Sequence, residues 1–204
     1  MNRWLKRYLT LGVALAGLSS IVPAGAAAAG FAEPGLKITL RIYNHAEVDA
    51  QTLLRAEQVA TRIYRKIGVE VVWLDQQESD LNLIIPARAT AQTLGVGRSS
   101  LGLAPGTGRR DWAYVFYDRV EELSRSQVAA VADRKVRRWA TTAQILGCAM
   151  AHEVGHLLGL SHSAIGLMRD GWRWNDLLNV AYGDLDFTPQ QAAVIRTAVR
   201  MRQD

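Results

Sequence analysis

The 204-residue chain contains one cysteine and four histidines. A single cysteine, Cys148, forbids any disulfide within the chain. A protein of this length does not need one, because it can bury a core of adequate size. No internal repeat or low-complexity segment occurs after residue 30. Acidic residues are missing from two stretches, 1–29 and 87–110. A G-x-G at residues 95–97 lacks the Lys-Ser/Thr pair that a phosphate loop needs, so nucleotide binding is not expected.

The first acid-free stretch carries Arg3, Lys6 and Arg7, then an apolar run from Tyr8, then small residues at 26–29. That order is the three-part pattern of a secretory signal peptide. The expectation is export to the periplasm or beyond, with residues 1–29 removed and 30–204 left as one domain without a membrane span. An uncleaved anchor is the alternative. Its Ala and Gly content and Pro23 argue against it, and the stretch has no cysteine for a lipoprotein anchor. Setting the three basic residues aside leaves 21 basic against 19 acidic residues, a net +2. The whole-chain pI of about 9.7 is thus partly a property of the export signal and does not point to nucleic acid.

Residues 36–44 alternate and are rich in β-formers, which predicts a strand. Residues 48–68 place Leu53, Leu54, Val59, Ala60, Ile63 and Ile67 at helical spacing, with Gly68 as the stop. Further strands are expected at 69–75 and 81–86, a short one near 99–104, and one over 111–120 hairpinned to it. Residues 121–158 read as mostly helical, and the basic run at 132–139 as a solvated helix face. Thr188, Pro189 and Gln191 form a capping-box pattern before an apolar stripe at Ala192, Ile195 and Val199. His45 reads as a turn residue.

Three of the four histidines fall within eleven residues, in "HEVGHLLGLSH". His152 and His156, four apart, share one helical face and can reach one metal ion. Glu153 is rotated about 100° from the first ligand and can reach water beside the metal instead. Gly159 permits a left-handed residue that ends the helix and lets His162 return as a third ligand. Three protein ligands with one open position is the catalytic form of a zinc site. By residue frequency the full pattern arises about 5 times per million such chains, so chance is a poor account of it. Cys148, four before His152, reads as a small buried hydrophobe rather than a blocking ligand.

"HEVGHLLGLSHS" followed by "IGLM" resembles the metzincin metalloproteases, and Ser163 with the "IGLM" tail is most similar to the matrixin branch. The resemblance is strong over about 20 residues and loose over 36–168. It implies an α+β, zincin-like fold: a twisted, mixed five-stranded sheet over an active-site helix, with a small C-terminal subdomain ending in a helix. It implies Zn²⁺ on His152, His156 and His162, Glu153 as general base, and Met168 as the Met-turn residue beneath the ligands. Ser100, Leu101, Gly102 and Leu103 resemble the edge strand that pairs with an extended substrate. Trp172 and Trp174 either shape the pocket beyond the cut bond or simply pack.

The departures are also clear. No room remains for a cysteine-switch propeptide before the first strand, and an acid-free 87–110 is not a calcium-rich loop. No tyrosine follows Met168 closely, as an astacin-like ligand would require. The Met-turn arrives two residues sooner than is usual in matrixins. The expected function is an exported, monomeric zinc endopeptidase acting on a protein or peptide. A zinc-binding recognition protein with little turnover, and a narrow amidase or processing enzyme of the cell envelope, are the alternatives.

Overall fold

The computed structural model describes residues 35–97, 99–105, 111–129 and 138–203. The expected signal segment, residues 106–110 and most of the basic run lie outside the described residues. The first strand, β1, spans Leu36–Asn44, and its alternation buries Ile38 and Leu40 on one face. Asp49 then caps helix α1, Ala50–Lys66, by accepting from the Thr52 amide at 2.9 Å. Gly68, at φ +78°, ends it as expected. Of the apolar residues placed on the α1 stripe, Leu54 departs: it is 54% exposed.

Strands β2 (Val69–Leu74) and β3 (Leu81–Ile85) lie parallel to β1 on either side. A four-residue helix, α2 (Thr90–Thr93), follows β3 in a stretch for which no element was expected. Two short strands follow, β4 (Gly102–Leu103) and β5 (Trp112–Val115). The five strands form one mixed sheet in the order β2-β1-β3-β5-β4, and only the β4–β5 pair is antiparallel.

The strand expected over 111–120 is shorter than that. The chain turns helical at Tyr117 and forms α3, Tyr117–Ala129. The reason is that Phe116, Val120 and Leu123 also lie at helical spacing. The Val120 amide donates to the Phe116 carbonyl at 3.2 Å, and both side chains are buried. The helix expected across 121–158 is likewise broken, because residues 138–141 are not helical.

Helix α4, Thr142–Leu157, opens on a full capping box between Thr141 and Gln144. It is buried nearly all round, as a central helix must be. It packs on the inner sheet face of Ile38, Leu40, Leu81, Leu83, Ala113 and Val115, and against α1. The fully buried Tyr64 hydroxyl ties the two helices by donating to the Ala151 carbonyl at 3.1 Å. Each such buried aliphatic side chain contributes about 1.5–3 kcal/mol.

Two more helices complete the chain, α5 (Trp174–Tyr182) and α6 (Pro189–Gln203). The Thr188–Gln191 box caps α6 as its sequence predicts. These helices do not build a core of their own. Val180, Ile195 and Val199 join the same buried cluster as the sheet, so the C-terminal part is continuous with the rest. Among the described residues, no helix is long and apolar enough to cross a membrane.

Candidate metal centre

His152 and His156 stand one turn apart near the end of α4, as their spacing requires. The helix ends at Leu157, and Gly159 takes φ +94°. That left-handed residue is easy only for glycine, and it turns the chain back toward the helix. His162 returns with it. The Nε2 of His156 lies 3.0 Å from that of His152 and 3.1 Å from that of His162.

The other ring nitrogens fix the chemistry of this cluster. His152 Nδ1 lies 2.7 Å from the Leu167 carbonyl, and His156 Nδ1 lies 2.8 Å from the Leu160 carbonyl. A carbonyl only accepts, so both Nδ1 atoms carry the proton and both Nε2 atoms present lone pairs. Burial pushes His152 down to about 4, and it lowers His156 as well, so both rings are neutral near pH 7. Neutral rings with lone pairs at 3.0 Å repel unless a cation lies between them. Zinc with bonds of about 2.0–2.1 Å sets tetrahedral nitrogens about 3.3 Å apart, close to the spacing present. The three histidines therefore fit a metal ion, and among the described residues they are the only such group. Carbonyls that orient metal-binding rings are a regular part of such sites.

Glu153 is 5% exposed, and burial pushes its carboxyl up to about 8. It faces an open cleft of about 450 Å³ that the three histidines also line. Opposite stand Ser100, Leu101, Gly102 and Leu103, so all four expected edge residues border the same space. The edge strand itself is shorter than the expected 99–104, because only Gly102 and Leu103 pair with β5. Gly102 abuts the carboxylate: a Cβ there would lie 2.5 Å from both Cγ and Cδ of Glu153.

Met168 is fully buried and packs against Gly155 of the same helix that carries His152 and His156. Its Sδ lies 2.8 Å from where a Cβ on Gly155 would sit. The loop that carries His162 is pinned at both ends. The Ser163 amide donates to the Met168 carbonyl at 2.8 Å, and the Leu167 amide to the Asp186 carbonyl at 3.0 Å. Gln191 of the α6 cap adds a bond from Nε2 to Ser163 Oγ at 3.1 Å. The two tryptophans separate. Trp172 lines the cleft and donates to the same Leu167 carbonyl at 3.1 Å, while Trp174 begins α5. Cys148 is outside the cluster, buried in the core, and burial pushes its thiol up to about 12. His45 occupies the turn after β1, where its amide donates to the Ile85 carbonyl.

Sequence reasoning missed Leu160 and Leu167, which act through backbone carbonyls that every residue possesses. It also missed Arg169 and Asp170 in the cleft wall. Arg169 Nε lies 3.2 Å from the buried Asp176 carboxylate, an i to i+7 pair with no local sequence signal.

The chain matches no protein-family model and no curated protein. Its α+β fold, mixed five-stranded sheet and HExxH helix with a third histidine are compatible with a zincin.

Proposed function

We propose that this protein is an exported zinc-dependent endopeptidase of metzincin type. The observation that carries the reading is the convergence of three imidazole nitrogens beside a buried carboxyl group, in a cleft bordered by a sheet edge. A pure binding site has no use for the carboxylate. The buried methionine packed against Gly155 of the HExxH helix, together with the element order, supports the metzincin class. The N-terminal charge and apolar pattern supports export.

His152, His156 and His162 would hold the ion, each through Nε2. Zinc held by three nitrogens acidifies water and polarises a substrate carbonyl. Glu153 supplies what the histidines cannot, a proton acceptor. Its carboxylate takes a proton from the attacking water and returns it to the departing amine. Leu160 and Leu167 keep the two helix-borne rings in the ligating tautomer. The free side of β4 offers backbone groups to an extended peptide, which adds as one more strand. Trp172 and Leu160 wall the cleft and limit water around the reacting bond.

Glu153→Ala tests the reading. The variant should retain one zinc per chain and lose at least 1000-fold in peptide hydrolysis, within the range of general-base catalysis. Full activity in that variant would overturn the mechanism. Wild-type protein that holds zinc but cleaves no member of a peptide library would favour a recognition role.

A further inference from the structure

The rim of the cleft is made by the chain between β3 and β4, and little within that segment explains its position. Among its described residues the only regular element is the four-residue α2. β4 has two paired positions, Gly102↔Val115 and Leu103↔Tyr114, with one further bond from the Phe116 amide to the Leu101 carbonyl at 2.8 Å. A two-residue strand is well below the usual length and does little to fix its own place.

The hold comes from the first turn of α3. Arg119 donates from Nη1 to the carbonyls of Gly97 and Ser100 at 2.6 and 2.7 Å, and from Nη2 to that of Val96 at 3.0 Å. Its Cζ stands 5.1 Å from the centre of the Phe116 ring. On the same turn, Glu121 pairs with Arg88 at 2.8 Å, and Asp118 accepts from the Ala89 amide at 3.4 Å. Carbonyl oxygens converging on one centre are what hard cations bind. Here a guanidinium fills that centre, and its planar fork reaches all three oxygens from one side chain.

We propose that Arg119 is a positioning residue for substrate. It fastens Val96, Gly97 and Ser100, and so holds the edge strand ordered where an extended peptide would add. The effect on turnover rests on the peptidase reading; the clasp itself does not. The three carbonyls are exposed or only partly buried, so water can replace the guanidinium at little cost to the fold. Removing Arg119 should therefore loosen the rim without unfolding the protein.

Peptides that span the cleft should show this with Arg119→Ala. KM should rise at least tenfold while kcat, zinc content and the urea midpoint stay within error or twofold of wild type. An unmoved KM, or a fall in kcat alone, would overturn the positioning role. Arg119→Lys keeps the charge and loses the fork, so most of the KM defect should remain. A lysine variant equal to wild type would overturn the geometric clasp. Hydrogen exchange decides the clasp without any activity: amides at 96–103 should exchange at least tenfold faster in Arg119→Ala, with those of α4 unchanged. Equal exchange there sinks the proposal. A wild type without turnover sinks the peptidase reading alone.

Discussion

Gly102 has no side chain, and the Glu153 carboxylate uses the space one would fill. The overlap involves Cγ and Cδ as well as an oxygen, so turning the carboxylate tip would not relieve it. Gly102→Ala must push either the rim or the base out of place. Its kcat should fall at least tenfold, about 1.4 kcal/mol in barrier, with zinc retained. Initial rates beside metal content check this, and an unchanged kcat would show that Glu153 has other room. Leu167 is a second instance of function without side-chain chemistry. Its carbonyl accepts from both His152 and Trp172, so one backbone oxygen orients a ligand and a cleft wall together.

At the scale of elements, α1 and α4 pack in close contact. A Cβ on Gly147 would fall against the Ala56 carbonyl oxygen and 2.6 Å from Val59 Cβ. One is backbone and the other a branched carbon in the core, so neither yields easily. Gly147→Ala should lower stability by about 1–3 kcal/mol, read as a shifted urea midpoint with unchanged slope. Elements whose signals are local were legible in the sequence. The alternation of β1, the cap of α6 and the H-E-x-x-H turn of α4 each depend on neighbours within a few residues. The start of α3 was not, because an apolar run through Phe116 satisfies strand and helix periods alike. Nor was β4's true length, which depends on its partner β5. Of the site, the clustering of the three histidines with Glu153 was legible, since helical spacing alone unites most of them. Arg119 was not, because a lone arginine ordinarily marks solvent.

For the whole molecule, the question is what the metal contributes beyond chemistry. The His162 loop is held by Ser163, Leu167 and Gln191 without help from any ion, and the core is continuous from β1 to α6. Chelation should therefore leave the far-ultraviolet circular dichroism unchanged at room temperature. It should lower the melting temperature, because zinc at 100 times its dissociation constant adds about 2.7 kcal/mol. For a domain of this size that is a shift of roughly 5–10 °C, measurable by calorimetry with and without chelator. Loss of helical signal on chelation would instead make the ion part of the fold.

The cleft draws its rim from residues 99–105, its floor from α4 and its far wall from residues 169–172. The His162 loop is then latched from Asp186 and Gln191, further along the chain. Synthesis runs in the opposite sense to that dependence. His152, Glu153 and His156 need only α4, whereas the place of His162 depends on residues that emerge after it. A chain cut before Asp186 would keep His152, Glu153 and His156 together on α4 and lose the bonds that hold the His162 loop beside them.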